Sequence, residues 1–360
     1  MKTLSILHRW SGALVGLLLA LLGLTGTILV WEGEWIGVPG AGDAVIEEVD
    51  RIGAVAERAA AGGALRITFA SEEIGLHHIA KEGGAGEYVR QDGGVAASWS
   101  SQWERPELWI FDFHHHLFAG ETGELVTGIA GIFGLAFVIT GSILWWRSRR
   151  TFECRLWPRT MQPGPIVRHH RDIGIVTSPL LLISFLTGIG MLFPSAARVV
   201  LAPLGTMEVA KKSPTADAGP GPAPVGAMLM KAKARFPQAK LRRLTIPSKP
   251  GGAWSVRMRQ PFEWTPNGRT TLFFDGRGQL LRVDDPATTG RAALVNETFY
   301  PVHTGKVGGV AWKLAMTLSG VALTLLGSLA VWSFWVRRFL HRRSRRPQVS
   351  PVRQASAEAA

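Results

Sequence analysis

Four stretches of the chain are apolar over about twenty residues, the length of helix that crosses a bilayer. They run from Ala13 to Trp31, Leu125 to Trp146, Ile173 to Phe193 and Val310 to Trp335. Only the fourth is interrupted near its start, by Lys313, whose long side chain can reach back to the interface. Between the first and second stretches, and again between the third and fourth, the pattern turns polar for long enough to form a small domain. In the second insert, Val225 to Phe236 repeats its apolar positions at helical spacing. Alternating runs follow at Leu241–Ile246, Trp254–Arg259, Thr270–Asp275 and Leu280–Val283, separated by Gly- and Pro-containing turns. A helix and an antiparallel meander are expected there, an α+β unit. In the first insert a helix within Val45–Ala61 and strands at Leu65–Phe69 and Glu87–Arg90 are expected, with Gly83-Gly84-Ala85-Gly86 as a break. Ser213 to Pro224, rich in Pro, Gly and Ala, reads as a flexible linker, and the tail after Arg346 as disordered.

This order divides the chain at residues 1–35, 36–113, 114–146, 147–171, 172–194, 195–302, 303–336 and 337–360. The segments are a first crossing, an outside domain, a second crossing with its lead-in, a basic loop, a third crossing, a second outside domain, a fourth crossing with its lead-in, and a basic tail. The fold class is an α-helical membrane protein, a four-helix transmembrane bundle built from two helix pairs. The second crossings of the two halves share a pattern: Gly141-Ser142-Ile143-Leu144 before Trp145 and Trp146, Gly327-Ser328-Leu329-Ala330 before Trp332. Both halves begin on the same side, so the repeat is parallel.

Charge sets the orientation. Residues 1–11, 147–171 and 337–360 hold 2, 7 and 7 Lys/Arg against Glu153 and Glu358, a net of +14, while the whole chain carries +13. The remaining 300 residues therefore sum to about −1, and basicity is confined to one side of the membrane, the cytoplasmic side by the positive-inside rule. Both termini are expected inside and both domains outside. Nucleic-acid binding is not needed to explain the charge, because the Arg clusters directly follow crossings. The first crossing lacks a small-x-small cleavage pattern and reads as an uncleaved anchor. The single cysteine, Cys154, excludes an intrachain disulfide and a cysteine-ligated cluster.

The chemistry lies in a repeated phrase. His8-Arg9-x-x-Gly12 and His170-Arg171-x-x-Gly174 open the first and third crossings, and each is followed at the same offset by Leu-Thr-Gly, Leu24-Thr25-Gly26 and Leu186-Thr187-Gly188. A histidine at a helix end is often only a polar terminal residue. Matched histidines on paired helices are what a porphyrin iron takes as axial ligands. Gly12 and Gly174, one turn deeper, would leave room for the ring, and Arg9 and Arg171 would meet its propionates. On the other side, His114-His115-His116 precede the second crossing and His303 the fourth, enough for a second bis-histidine site. The 17 residues from His8 to Thr25 rise about 25 Å, so one site at each face would form a relay. Zinc or copper is the weaker metal reading, since no carboxylate or cysteine completes an inner site, although His114 to His116 alone could hold an outside metal. His77 and His78 read as solvated, with a metal or substrate role the minor alternative. Thr25, Thr140 and Thr187 can bond back to their own helices. The glycine faces, Gly12 with Gly16 and Gly128, Gly131 and Gly134, also suit close helix packing.

Taken together, Leu7-His8-Arg9-Trp10-Ser11-Gly12 with Leu24-Thr25-Gly26, Phe113-His114-His115-His116-Leu117-Phe118-Ala119-Gly120 before Trp145-Trp146, His170-Arg171-Asp172-Ile173-Gly174, and His303-Thr304-Gly305 before Trp332 resemble the PepSY-associated transmembrane family of bacterial inner-membrane proteins. The resemblance covers all four crossings. It implies two small PepSY-like periplasmic domains and a haem-bearing membrane reductase, with haem b, two per chain, held by His8, His114, His170 and His303. His116 fits the internal repeat about as well as His114, so that ligand is left open between them. The acceptor implied is a ferric siderophore or another ferric chelate, used in iron acquisition. The donor would be quinol or a cytoplasmic reductase, as no Gly-x-Gly-x-x-Gly follows a strand. The catalytic residues are unassigned. The rival readings are a non-enzymatic PepSY membrane protein that binds or regulates a periplasmic partner, and a transporter, against which stands the scarcity of charge inside the crossings.

Overall fold

The computed structural model describes residues 2–155, 157–207, 212–217, 222–249 and 251–344, with side chains as far as Arg338. The tail expected to be disordered lies outside the described residues. In chain order, the first half holds α1 (Lys2–Val30), α2 (Glu32–Trp35), α3 (Val49–Ala61), β1 (Arg66–Thr68), β2 (His77–Ala80), β3 (Gly86–Val89), β4 (Val95–Trp99), α4 (Pro106–His116) and α5 (Gly120–Ser148). The second half holds α6 (Pro163–Leu192), α7 (Pro194–Leu201), α8 (Val225–Arg235), β5 (Lys240–Thr245), β6 (Trp254–Arg259), β7 (Thr270–Phe274), β8 (Leu280–Asp284), α9 (Arg291–Glu297), α10 (Phe299–His303) and α11 (Gly309–Ser344). Four helices, α1, α5, α6 and α11, are long and apolar enough to cross a membrane.

The chain forms two compact units. One comprises Met1–Leu24, Ile132–Leu182 and Ser319–Ala360. Its helices α1 and α11 meet backbone to backbone through glycine. A Cβ on Gly16 would lie 3.1 Å from the Gly327 carbonyl oxygen, one on Gly23 2.7 Å from that of Gly320, and one on Gly327 2.3 Å from that of Gly16. At such approach Thr324 Oγ1 also reaches the Ala20 carbonyl across the helices at 3.2 Å, and donates to Gly320 O on its own helix at 2.8 Å. The basic loop after α5 is tied to α6 through Asp172. That buried carboxylate takes Arg155 Nη1 at 3.0 Å and Arg171 Nε at 2.7 Å, while His169 Nδ1 bonds the Arg155 carbonyl at 3.0 Å. A buried carboxylate left unpaired would be costly, so the loop is ordered by the charge it covers.

The other unit comprises Thr25–Gly131 and Ile183–Leu318. It contains one antiparallel sheet of eight strands in the order β4-β3-β2-β1-β5-β6-β7-β8. Each insert supplies a helix followed by four strands. The two meanders join edge to edge, with Arg66, Ile67 and Thr68 of β1 paired to Thr245, Leu244 and Arg243 of β5. The inserts thus share one sheet, where the sequence pattern suggested two separate domains. The joint is driven by burial: α3 and α8 cover one face of the whole sheet. There Val55, Ala56, Met228 and Leu229 meet Ile67, Leu244, Val256, Met258, Leu272 and Phe274 in one core. Each of these side chains larger than alanine contributes about 1.5–3 kcal/mol on burial. β2 and β4 escape the sequence pattern because His77-His78 and Ala96-Ala97-Ser98 are poor strand formers. Of the expected linker, residues 218–221 lie outside the described residues. Its described part is held to the sheet: Thr215 bridges Gly252, Ala216 N–H donates to Gly251 O at 2.9 Å, and Gly276 N–H donates to Asp217 O at 3.0 Å.

Within this unit α5 and α6 also meet at glycine, where a Cβ on Gly131 would lie 3.3 Å from Ile189 Cγ1 and one on Gly128 would strike the ring of Phe193, just past α6, at 2.5 Å. The lead-ins to the crossings are separate short helices. Leu117 and Phe118 (φ 49° and 59°) and Gly120 (φ 55°) turn the chain sharply between α4 and α5, and Gly305, Gly308 and Gly309 (φ 75°, 73° and 64°) do so between α10 and α11. His114 and His303 consequently hang on α4 and α10, each ahead of the crossing it precedes.

Candidate functional site

The first unit brings His8 of α1 and His170 of α6 together, with ring centres 6.4 Å apart and planes at 83°. His8 Nδ1 lies 2.8 Å from Thr140 Oγ1 of α5. That hydroxyl has one hydrogen and donates it to Ala136 O at 2.7 Å, so toward the imidazole it can only accept. His8 therefore carries its proton on Nδ1, and Nε2 keeps the lone pair a metal needs. The ring rests on Gly141, whose Cβ would be 3.6 Å from Cε1, and stands edge-on to Phe137 at 5.3 Å. His170 differs. No threonine hydroxyl meets its buried Nδ1, and the polar group acting on the ring is the Leu326 backbone.

The second unit repeats the arrangement with His114 of α4 and His303 of α10, whose ring centres are again 6.4 Å apart, at 53°. His303 Nδ1 lies 3.0 Å from Ser184 O and 3.2 Å from Thr187 Oγ1, and Thr187 spends its hydrogen on Ile183 O at 2.7 Å. A carbonyl oxygen can only accept, so the proton is on Nδ1 here too. Burial pushes the His303 imidazole down to about 4, which keeps it neutral, the form that ligates. His114 Nδ1 meets Thr25 Oγ1 at 3.0 Å. A Cβ on Gly26 would be 3.0 Å from His114 Cε1, and one on Gly188 3.1 Å from His303 Cε1. The repeated Leu-Thr-Gly is thus a seat for an imidazole from another helix: threonine fixes the ring nitrogen and glycine admits the ring.

Several expectations change. The three consecutive histidines share no site, because neighbours on a helix point apart: His115 bonds Phe111 O at 3.0 Å and His116 the Asp112 carboxylate at 3.0 Å. Of His114 and His116, only His114 faces His303. Arg171 is spent on Asp172, Thr151 Oγ1 and Thr151 O, the last two at 2.7 and 2.8 Å, so it is not a free partner for a propionate; Arg9 is exposed. His77 and His78 are not solvated. His77 Nδ1 accepts the Ala70 N–H at 3.1 Å, and His78 stacks on Tyr88 and Trp99 at 5.1 and 5.6 Å. Gly12 and Gly174, by contrast, do border space: a Cβ on Gly12 would meet nothing within 4 Å, and one on Gly174 only Leu326 Cδ2 at 3.8 Å.

The geometry fits a haem held by two histidines. Two metal–imidazole bonds of about 2 Å each, plus the half-widths of two rings, separate ring centres by roughly 6 Å. Tetrahedral zinc would need four ligands, and among the described residues no group of three or more His, Cys, Asp or Glu converges. With both pairs built on the phrases that recur along the chain, the comparison with known families is direct. A family model for the PepSY-associated TM region matches residues 5–338. The chain belongs to the PepSY-associated TM family. No curated protein matches it. In this PepSY-associated TM protein the histidines are visible in the sequence but their seats are not, since Thr140 and Thr187 donate to Ala136 O and Ile183 O inside their own helices, which explains them locally. Of the seven Thr-Gly dipeptides in the chain, three, Thr25-Gly26, Thr140-Gly141 and Thr187-Gly188, receive three imidazoles, so the dipeptide alone does not single out the seats. The fourth position, matched to Thr140 through Gly141 and Gly327, is Leu326, and His170 is the ring whose Nδ1 meets no threonine hydroxyl.

Proposed function

We propose that this protein is a haem-containing inner-membrane reductase that passes electrons from the cytoplasmic side or the membrane quinol pool to a periplasmic ferric siderophore or other ferric chelate. The observation that carries the reading is the fixed tautomer of His8 and His303, each with Nε2 left free opposite a second imidazole at 6.4 Å. Haem b, held by His8 with His170 and by His114 with His303, would supply a one-electron couple. The protein's own contribution is to place four imidazoles in two facing pairs, fix three of them through threonine, and leave space beside Gly12 and Gly174. Positive charge supports the orientation. The His8 and His170 helix ends neighbour the basic segments, where Arg149 lies over the Trp146 ring at 4.4 Å and Arg338 over Trp10 at 4.3 Å, as interfacial Arg–Trp pairs do. The two halves then form a parallel repeat, and the joined sheet is the periplasmic, PepSY-like part. A ferric chelate suits the acceptor side because hard oxygen ligands hold the ferrous ion less tightly than the ferric ion.

The test is spectroscopic. Purified protein reduced with dithionite should show sharp b-type bands, with two haems per chain by extraction. His8→Ala or His170→Ala should remove one haem and His303→Ala the other. A colourless preparation with no extractable haem would sink the reductase reading and leave the non-enzymatic one.

A further inference from the structure

The face of the sheet turned away from α3 and α8 carries a set of arginines. Strand alternation places Arg66 of β1, Arg243 of β5, Arg257 of β6 and Arg269, just before β7, on that face, opposite Ile67, Leu244, Val256 and Leu272 of the core. Arg243 and Arg257 are direct cross-strand partners, Arg66 is diagonal to Arg243, and Arg269 is diagonal to Arg257. Like charges directly opposite on a sheet destabilise it. Yet among the described residues none of the four makes an ion pair. The nearby carboxylates do not reach the guanidiniums: Glu263 acts on Arg257 only through space while it accepts from the backbone N–H groups of Arg269, Gln260 and Thr270 at 3.0 to 3.1 Å, and burial raises the Glu297 carboxyl. Arg243 Nε is buried without a hydrogen-bond partner. Burial, and then Arg66 and Arg257, push the Arg243 guanidinium down to about 10. Arg66 and Arg269 are exposed and Arg243 and Arg257 half-buried, so the cluster is open from one side. Tyr300, among the groups acting on Arg243, belongs to α10 and stands one turn before His303.

Four guanidiniums gathered on one face without an ion pair among the described residues, one with a buried Nε that has no hydrogen-bond partner, call for an anionic ligand. We propose that this face, beside the His303 end of α10, is a binding site for a small polyanion bearing several carboxylates or equivalent oxyanions, with Arg243 and Arg257 as its forked donors. Guanidinium matches carboxylate bidentately, and bonds of that kind are about twice as strong as neutral ones. That the polyanion is a ferric chelate rests on the reductase reading; that it is anionic rests on the arginines alone.

The probe is gallium(III) citrate, which resembles ferric citrate in charge and shape and is redox-inert, so binding is read independently of electron transfer. Titrated calorimetrically into the full-length holoprotein in phosphatidylcholine nanodiscs, it should bind saturably and more weakly as salt rises. Arg243→Gln with Arg257→Gln should weaken it roughly ten- to hundredfold. Arg66→Gln with Arg269→Gln, at exposed positions that leave the fold intact, should weaken it in the same direction, and the haem spectrum should be unchanged in all variants. Gallium(III) desferrioxamine B, a cationic chelate, should not compete. No saturable binding to wild type, equal binding by both variants, or occupancy only by phosphatidylglycerol added to the nanodiscs, with no effect of free chelate, would each overturn the proposal. Normal haem content with failed binding refutes the site and spares the reductase; absent haem with intact binding does the reverse.

Discussion

At the scale of single residues, threonines decide how three of the four imidazoles are presented. A hydrogen bond to Nδ1 makes Nε2 a stronger donor and favours the higher metal oxidation state, and losing such a partner typically weakens metal retention about 10–100-fold. Thr140→Val should therefore leave His8 in place, raise the midpoint potential of the haem held with His170, and loosen that haem; Thr140→Ser should restore both. Leu326→Thr, supplying at His170 the hydroxyl that Thr140 gives His8, should lower the same potential. Redox titration of the b bands separates the outcomes, and equal potentials in all three variants would refute the seat. A second residue-scale prediction concerns pH. Burial holds His77 at about 4, and burial with Arg66, Arg243 and Arg105 holds His78 at about 4, against about 6.5 in an unfolded chain. Between those values the unfolded chain binds more protons, so stability rises with pH across that window and falls on acidification, by up to about 1.4 kcal/mol per pH unit for the fully buried His77. Thermal unfolding followed from pH 7 to 4 should show this loss, and His77→Gln should flatten it. The sequence made these histidines visible and their surroundings invisible, because Ala70, Tyr88 and Trp99 reach them only through strand pairing.

At the scale of elements, glycine has two uses that look alike in sequence. Gly12 and Gly16 stand one turn apart in α1 and were indistinguishable as a small-residue face. In the fold, Gly16, Gly23 and Gly327 bring two backbones into contact, whereas Gly12 borders space. Gly23→Leu should prevent α1 from meeting α11 and abolish accumulation of folded protein. Gly12→Leu should give folded protein with the His8 haem missing. Size-exclusion profiles together with haem-to-protein ratios distinguish the two, and a Gly12→Leu protein that retains full haem would remove Gly12 from the site. The four long apolar helices and the two that cover the sheet, α3 and α8, were legible by length and periodicity. The short α4 and α10, which carry His114 and His303, were not, because their separation from the crossings depends on left-handed residues, two of them Leu117 and Phe118, and such residues rarely adopt that conformation.

At the scale of the whole molecule, the sequence showed two inserts and could not show that they form one sheet. Each meander is complete in its local pattern. Only the shared core reveals that β1 and β5 are interior strands rather than edges. Residues 36–113 expressed alone would expose the β1 edge and half an apolar face, which favours aggregation. Leu244→Asp should destabilise both meanders together, so that proteolysis releases fragments of the first insert as readily as of the second; protection of the first insert would show that it folds by itself. The seam has one more consequence. Antiparallel pairing about Ile67 and Leu244 is self-complementary, as an isologous contact must be. A chain of half the length, with two crossings and one meander, could present its β1 edge to a copy of itself and regain eight strands as a homodimer.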